Sequence, residues 1–175
     1  MSLIFVDVEA GGIDGGSGVS PYSGVMTEFG AVSYKTGNTF HGVIWLAKPS
    51  EDNPAVSNPI KMLNQEGLVM DDFVAWIKEN SDDKPVFISD NPAYDWQWIS
   101  YYFDKVGIEN PFGHSARRIG DFYAGVVGNW RAASKWKKLR DTKHDHNPVN
   151  DAMGNVEAFR KIMRMVSEQN CGDKG

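Results

Sequence analysis

The sequence predicts a single α/β domain, because short apolar strands alternate along it with segments of helical periodicity. The chain has 175 residues, of which 41% are hydrophobic and 23% charged, as is usual for a globular domain with one core. We find no internal repeat and no low-complexity segment in it. This composition excludes collagen-like, coiled-coil and wholly disordered chains.

The elements of the N-terminal part follow from apolar periodicity and turn residues. A glycine-rich loop is expected over residues 10–24; it lacks the Gly-Lys-Ser/Thr of a Walker loop and the G-x-G-x-x-G of a dinucleotide-binding loop. Residues 48–66, rich in Pro and Asn, are expected to be a connection. We expect strands at 3–6, 25–34, 39–46 and 85–89, the middle two forming a hairpin, and helices over 67–80 and through 96–106.

The C-terminal part is predicted to begin with a loop over residues 107–121 that contains a short apolar stretch. Residues 130–140 are expected to form a basic helix or loop. The last helix is expected to start at Pro148, with Asn147 as its N-cap. We therefore expect one domain over residues 1–166 and a flexible tail over residues 167–175.

Charge is divided unevenly between the two parts of the chain. The total net charge is −5, but residues 1–100 carry −9 and residues 101–175 carry +4. The stretch 117–143 has eight Lys or Arg residues against two Asp residues. An acidic part joined to a basic part can serve metal-dependent chemistry on a polyanion, and an uneven solvated surface is the alternative explanation.

Two further observations concern the compartment of the protein. The single cysteine, Cys171, excludes an internal disulfide and a cysteine-cluster metal site. The N-terminus has no basic region before its short apolar run, so no signal peptide is predicted, and no apolar stretch approaches the roughly 18 residues of a membrane span. We expect a cytoplasmic protein that does not bind membranes.

Three acid-bearing segments lie at the ends of predicted elements. Asp7 and Glu9 follow the first apolar strand, where side chains two positions apart share a face, with Cα atoms roughly 6.5 Å apart. Asp95 lies in the first turns of the helix after the fourth strand, where the helix dipole favours an anion. His146 and Asp151 lead into the last helix. Taken singly, each segment could be a strand end, a helix cap or a chance spacing.

The order and setting of these segments resemble the DEDDh group of 3′–5′ exonucleases, which includes polymerase proofreading subunits, ribonuclease T and oligoribonuclease. The resemblance extends over residues 3–166, with weaker matches at residues 27–32 and 119–121. It implies a ribonuclease H-like mixed β-sheet of about five strands flanked by α-helices. The D-x-E, Asn-x-x-Phe/Tyr-Asp and His-x₄-Asp motifs of the family match Asp7 and Glu9, Asn91, Tyr94 and Asp95, and His146 and Asp151.

Three positions depart from the family pattern. Ala10 stands where the family often has Thr, so no hydroxyl is available there to contact substrate. Asp90 stands where a His often precedes the Asn of the second motif, and Pro148 stands where the third motif usually has Ala. These departures concern the subfamily and the substrate contacts, and they leave the five catalytic positions intact.

The resemblance implies hydrolysis of phosphodiester bonds at the 3′ end of DNA or RNA, with release of nucleoside 5′-monophosphates. Two divalent cations, Mg²⁺ or Mn²⁺, prefer oxygen ligands and can stabilise both the attacking and the leaving oxygen. The implied ligands are Asp7, Glu9, Asp95 and Asp151. His146 is the implied general base, because a neutral imidazole can accept a proton from the attacking water.

Other interpretations stay open at this point. His144 is a rival for the general base, and the segment 144–146 could form a small transition-metal site, although zinc would need a third nitrogen or sulfur ligand. The chain could instead be a catalytically silent exonuclease-fold module that binds nucleic acid or a polymerase partner. It could also be a two-metal phosphodiesterase of small nucleotides.

The basic segment, residues 130–140, is the predicted contact with nucleic acid. Its cations could bind backbone phosphates and its aromatic side chains could stack on bases; alternatively, it is an amphipathic helix with Trp130 and Trp136 packed inward. The expected partner is a nucleic acid with a free 3′ end, and a homodimer is left open beside a monomer. The candidate nucleic-acid-binding residues are Ala10, Asn91, Arg131, Lys135, Lys137 and Lys138.

Overall fold

The computed structural model describes residues 1–12, 20–44 and 59–172, with the side chains of residues 59–64 and 171–172 excepted. The strands are β1 Leu3–Gly12, β2 Gly24–Ser33, β3 Thr39–Val43, β4 Val86–Ser89 and β5 Ala116–Arg118. The helices are α1 Pro59–Glu79, α2 Pro92–Val106, α3 Ile119–Val126 and α4 Pro148–Gly172, and two 3-10 helices span Trp130–Ala132 and Lys135–Leu139.

The five strands form one mixed sheet in the order β3-β2-β1-β4-β5. The central strand β1 is antiparallel to β2 and parallel to β4. The hairpin partner β3 is antiparallel to β2, and β5 is parallel to β4. The predicted five-stranded mixed sheet and the predicted hairpin are therefore confirmed.

Helices cover both faces of the sheet, and each face has its own apolar core. Side chains of α1 and α2, such as Phe73 and Trp98, pack on one face of the sheet. Side chains of α3 and α4, such as Ile119 and Val156, pack on the other. Each large apolar side chain buried in this way stabilises the fold by about 1.5–3 kcal/mol. Because β1 lies between the two cores, both helical layers can reach its carboxyl end.

Two predicted boundaries in the C-terminal part are wrong or incomplete. Residues 107–121 are not a loop throughout, because they contain β5 and the first turn of α3. The strand β5 is a three-residue edge strand whose two arginines are exposed, so it has no apolar pattern that could be recognised. Helix α4 continues to Gly172, so residues 167–172 of the predicted tail are helical, and residues 173–175 lie outside the described residues.

The N-terminal boundaries also differ from expectation. Helix α1 begins at Pro59, inside the predicted connection, of which residues 48–58 lie outside the described residues. The strands β1 and β2 run into both ends of the predicted glycine loop, whose residues 13–19 lie outside the described part. In the described part of the chain, no helix combines the length and the apolar character that a bilayer crossing requires.

Candidate active site

The strand β1 directs alternate side chains to opposite faces of the sheet. Its even-numbered apolar residues pack in the core beneath α1 and α2, whereas Leu3 and Phe5 pack in the core beneath α4. Asp7 and Glu9 continue the odd-numbered series, so their carboxylates face the α4 side of the sheet. A register shift between Glu9 and Ala10 interrupts the pairing with β2 just beyond them.

The start of α4 lies close against the sheet at this level. The side-chain oxygen of Asn147 accepts hydrogen bonds of 3.1 Å from two backbone N–H groups of the first turn, which confirms the predicted N-cap. Gly30 on β2 permits the close approach, because a Cβ atom there would overlap the backbone of Pro148. Asp151, in the first turn, is consequently 1% exposed.

These two elements bring together three of the predicted carboxylates. Asp7, Glu9 and Asp151 each offer an oxygen atom, and the three oxygens lie within 4.8 Å of one another. Oxygen atoms at this spacing can coordinate a single hard cation such as Mg²⁺ or Mn²⁺. We call these three residues the carboxylate cluster.

The fourth predicted carboxylate, Asp95, lies beside the carboxylate cluster. It is 4% exposed, and its Oδ1 accepts a hydrogen bond of 3.2 Å from the backbone N–H of Val8. Helix α2 thus brings Asp95 to the central strand from the opposite helical layer. This bond links the start of α2 to β1, and the backbone N–H of Asn91, at the N-cap position of α2, also donates to the Asp95 carboxylate.

Crowding and burial make ionisation of these groups unfavourable. Burial, reinforced by the neighbouring charges of Asp95, Asp151 and Glu9, raises the pKa of Asp7 to about 9. Burial also raises the pKa of Glu9, and it raises the pKa of Asp95 to about 7. A site of this kind holds protons near neutral pH unless positive charge is supplied.

The donor set fits a divalent cation. Both carboxylate oxygens of Asp151 are buried; His144 Nδ1 lies 2.6 Å from Oδ2 and Arg140 Nη1 lies 3.8 Å from Oδ1, but neither contact has the alignment of a hydrogen bond, and no other described residue donates to these oxygens. A buried carboxylate without such donors is costly in a metal-free protein. A cation bound by the carboxylate cluster would satisfy these oxygens and offset the repulsion between the acids.

Two histidines precede α4 and both approach the carboxylate cluster. His144 places Nδ1 2.6 Å from Asp151 Oδ2, and the more exposed His146 places Nδ1 3.5 Å from Glu9 Oε1. Their ring centroids are 4.4 Å apart. His146 has a φ of 62°, in the left-handed region that non-glycine residues rarely adopt. The cost of this conformation is typical of residues whose orientation matters for function.

Arg140 is a site residue that sequence reasoning missed. Its side chain is 9% exposed, with Nη1 3.8 Å from Asp151 Oδ1, and its guanidinium donates a hydrogen bond to Asn155 and lies over the ring of Trp136. The positive charge of Arg140 lowers the pKa of Asp7 and so opposes the effect of burial. In the sequence it is one cation of a basic run, and only the fold turns it inward.

The basic segment combines the two interpretations that the sequence left open. It forms two short 3-10 helices, in which Trp136 is 1% exposed and Trp130 is 77% exposed. Of the two tryptophans that the amphipathic interpretation places inward, Trp136 is buried and Trp130 is exposed. A cavity of about 350 Å³ extends from Asp7 along this segment, and its basic lining consists of Lys137, Lys138, Arg140, Lys143 and His144.

Of the candidate nucleic-acid contacts, Lys137 and Lys138 line this cavity, and the other four do not. Lys137 forms an ion pair of 2.6 Å with Asp90, and both line the cavity. Arg131 and Lys135 are exposed on the 3-10 helices. Ala10 is partly buried just beyond the register shift of β1. Asn91, at the N-cap position of α2, is exposed and makes no capping bond with its side chain.

A mixed sheet with two carboxylates on its central strand, a third on α2 and a fourth opening the last helix is the arrangement of the DEDDh class of nucleases, which share the ribonuclease H-like fold. The chain is 30% identical over 184 residues to the 3′–5′ DNA exonuclease Cap18 of Escherichia coli, and the alignment covers 95% of this chain and 94% of that protein. The chain therefore belongs to the DEDDh family of 3′–5′ exonucleases.

A solved structure agrees with this assignment at the level of the fold. The nuclease domain of 3′hExo, a DEDDh family member bound to rAMP, superposes with a TM-score of 0.60 at 15% sequence identity. The superposition covers 95% of this chain and 92% of that one. No protein-family profile matches the chain.

Proposed function

We propose that the protein removes nucleotides one at a time from the 3′ end of DNA or RNA and releases nucleoside 5′-monophosphates. The observation that carries this proposal is the carboxylate cluster, with its buried Asp151 oxygens that lack well-aligned donors, at the edge of a basic cavity. DNA is the first substrate to test, because the relative from Escherichia coli is named a DNA exonuclease.

Asp7, Glu9 and Asp151 are the proposed ligands of two divalent cations, Mg²⁺ or Mn²⁺, together with Asp95. When bound, such cations stabilise the charge that develops on the attacking and leaving oxygens of a phosphodiester. Asp95 is not one of the three acids whose oxygens lie within 4.8 Å of one another, and one of its oxygens accepts a hydrogen bond from the N–H of Val8. Through this bond Asp95 fixes the backbone of β1 between Asp7 and Glu9, and its charge adds to that of the site.

His146 is the proposed general base. Its ring is largely exposed beside Glu9, where it can approach a water molecule directed at a phosphate. His144 is less suited to this role, because its Nδ1 lies 2.6 Å from an oxygen of the buried Asp151. Uptake of the proton by the His146 imidazole would leave the water oxygen free to attack the terminal phosphodiester.

The basic lining of the cavity is the proposed path of the substrate backbone. Lys137 and Lys138 line the same cavity as Asp7, so a strand whose terminal phosphodiester lies at the carboxylates could place further phosphates beside them. Arg131 and Lys135 extend the basic surface beyond the cavity. Ala10, next to Glu9, and Asn91, next to Asp90, are proposed to contact the terminal nucleotide through backbone or amide groups.

Label polarity tests this proposal directly. Matched single-stranded DNA and RNA oligonucleotides, labelled at the 3′ or the 5′ end, are digested in parallel with Mn²⁺. We expect the 3′ label to appear at once as a mononucleotide and the 5′ label to pass through a ladder of shortening strands. Binding without release of nucleotides would favour the silent module, and turnover restricted to dinucleotides would favour a phosphodiesterase of small substrates.

A further inference from the structure

Trp130 is a large aromatic side chain that the fold leaves in solvent. It is 77% exposed, whereas Trp98 and Trp136 are buried. Burial of a tryptophan side chain would contribute several kcal/mol to stability. The exposed Trp130 does not make this contribution. A rigid, exposed indole is suited to stacking against a planar partner.

The neighbouring residues hold Trp130 in place. The side-chain oxygen of Asn129 accepts a hydrogen bond of 3.0 Å from the N–H of Arg131, which caps the 3-10 turn that carries the tryptophan. The N–H of Asn129 donates a 3.0 Å bond to the carbonyl of Ala124 at the end of α3. Ala132, two residues after the tryptophan, is buried. The indole is therefore presented from an anchored turn, at little cost in conformational entropy when it binds.

The surroundings of Trp130 indicate an anionic partner. Arg131 and Lys135 are exposed on the same two 3-10 helices. Lys137 and Lys138 follow in the second of these helices and line the cavity that contains Asp7. Along the chain, the exposed cations Arg131 and Lys135 thus lie between the exposed indole and the two lysines of the cavity, and Trp130 itself lies outside the lining of the cavity.

Single-stranded nucleic acid has the chemistry that this surface would recognise. Each of its bases can present a ring face that stacks on an aromatic side chain, and its phosphates bind Lys and Arg. In a duplex, the same faces are occupied by neighbouring base pairs. An acidic protein segment could satisfy the cations, but it would supply no regular series of planar groups for the indole.

We propose that Trp130, with Arg131 and Lys135, forms a second binding site for single-stranded nucleic acid, upstream of the 3′-terminal nucleotide that is cleaved. This inference rests on the proposed function and adds a substrate class to it. A dinucleotide in the cavity does not reach Trp130, whereas a longer strand contacts both places. The protein therefore binds single strands of several nucleotides more tightly than dinucleotides or blunt duplexes.

Binding measured without cleavage tests the second site. In an Asp7→Asn background, fluorescence anisotropy gives the Kd of a ten-nucleotide single strand, a dinucleotide and a blunt duplex, all labelled. We expect Trp130→Ala to weaken binding of the ten-nucleotide strand by about five- to 150-fold, the range for loss of one base–aromatic stack. The Kd of the dinucleotide and of the duplex should stay unchanged, and Trp130→Phe should retain most of the affinity.

Matched cation variants complete the test. Arg131→Ala should make the slope of log K against log salt shallower by about 0.7, as expected for one phosphate contact on a single strand. Arg164→Ala removes an exposed cation of α4 outside this surface and should leave the slope unchanged. Unchanged binding of the ten-nucleotide strand by Trp130→Ala, or an equal loss on all three ligands, would overturn the second site.

The two proposals fail in different ways. If the unmodified protein with Mn²⁺ releases no nucleotide from any strand, the proposed function is wrong, and the effect of Trp130→Ala on the ten-nucleotide Kd is still decisive for the second site. If nucleotides are released but that Kd does not change, the second site is wrong and the proposed function stands.

Discussion

Asp7 is the residue at which the requirements of folding and of metal binding are most clearly opposed. Its side chain is partly buried beside three other acids, and its pKa is raised to about 9. The nearby guanidinium of Arg140 offsets only part of this effect. The protein therefore maintains a destabilised group that a divalent cation would stabilise.

This conflict predicts how the stability of the metal-free protein depends on pH. Because the pKa values of Asp7 and Asp95 are raised in the folded state, the folded state binds more protons than the unfolded state between about pH 4 and 9. Stability in EDTA should consequently fall as the pH rises from 5 to 8. Asp7→Asn should reduce this fall and raise the Tm at pH 8 by at least about 3 °C, or roughly 1 kcal/mol for a chain of this size.

Thermal unfolding followed by circular dichroism at pH 5 and pH 8 is the measurement. Addition of Mn²⁺ at pH 8 should raise the Tm of the unmodified protein more than that of Asp7→Asn. A metal-free protein that is as stable at pH 8 as at pH 5, with no gain in Tm from Asp7→Asn, would show that ionisation of these carboxylates does not destabilise the folded state.

We expect substitutions of the two histidines to affect kcat and the Mn²⁺ requirement differently. His146→Ala should lower kcat by about 10² to 10⁴, the usual effect of losing a general base, while the Mn²⁺ concentration for half-maximal activity changes little. His144→Ala should have a smaller effect on kcat and a larger effect on Mn²⁺ affinity, because His144 contacts Asp151.

His114→Ala removes an exposed histidine outside the site and is the matched control, with activity close to that of the unmodified protein. Steady-state rates on a 3′-labelled strand over a range of Mn²⁺ concentrations provide both parameters. If His144→Ala lowers kcat more than His146→Ala does, the general base is His144, and the pairing of His146 with Asp151 in the third motif is wrong.

Some of these site residues could be predicted from the sequence because local patterns encode their positions, whereas others depend on contacts that only the fold creates. Alternation in a strand is a local property, so the shared face of Asp7 and Glu9 could be predicted. The burial of Arg140 depends on Asn155, Trp136 and the course of the chain between them, which no local pattern encodes. The contact of His144 with Asp151 likewise depends on the fold of the preceding loop.

At the scale of elements, the segment 141–147 is attached to α4 near both of its ends. Near its start, Glu157 accepts hydrogen bonds from the N–H of Asp141 at 3.0 Å and from the N–H and hydroxyl of Thr142 at 2.8 and 2.9 Å. Near its end, Asp145 accepts bonds of 3.0 Å from the N–H of Asn147 and 2.9 Å from the side chain of Asn150. His144 lies between these two attachments, and His146 lies between Asp145 and Asn147, the two residues of the second one.

Glu157 is therefore predicted to position the segment 141–147, which carries both histidines, without touching the substrate. Glu157→Ala removes three hydrogen bonds, so stability should fall by about 1–3 kcal/mol and kcat by about tenfold. The Mn²⁺ concentration for half-maximal activity should not change, because the carboxylate cluster is intact. Glu157→Gln retains an acceptor oxygen and should restore most of kcat.

Lys161→Ala is the control for this prediction, since it breaks only the 2.7 Å ion pair with the exposed Asp141 at the same end of the loop. Its kcat should stay near that of the unmodified protein. Steady-state kinetics and thermal unfolding, measured together, separate the two effects. A wild-type kcat in Glu157→Ala, or a loss that Glu157→Gln does not restore, would assign Glu157 a purely structural role.

The predictability of the elements follows from their apolar content. The strands β1, β2 and β4 are rich in buried apolar residues. Both ends of β2 and β4 were predicted within one residue, and so was the start of β1, although β1 continues to Gly12, well beyond its predicted end at residue 6. The strand β5 has a partly buried Ala and two exposed Arg, and parallel pairing with β4 alone defines it. Patterns of burial can be read from a sequence, whereas pairing along an edge depends on the neighbouring strand.

For the whole molecule, the acidic and the basic parts of the sequence both contribute charged side chains to one cavity. The acidic part contributes Asp7 and Asp90 to it, and the basic part contributes Lys137, Lys138 and Lys143. The cations proposed to bind a phosphate backbone thus line the same cavity as Asp7, a proposed metal ligand. A net charge of −5 is compatible with binding of a polyanion, because the basic surface is local and bound dications would offset the acids.

The most direct test of the central claim is the rate of mononucleotide release from a 3′-labelled single strand by the unmodified protein and by Asp151→Asn. We expect release with Mn²⁺, none in EDTA, and at least a hundredfold slower release by Asp151→Asn, because that change removes a buried ligand while the variant still folds. Release that is unaffected by EDTA, or full activity of Asp151→Asn, would contradict a metal-dependent exonuclease built on the carboxylate cluster.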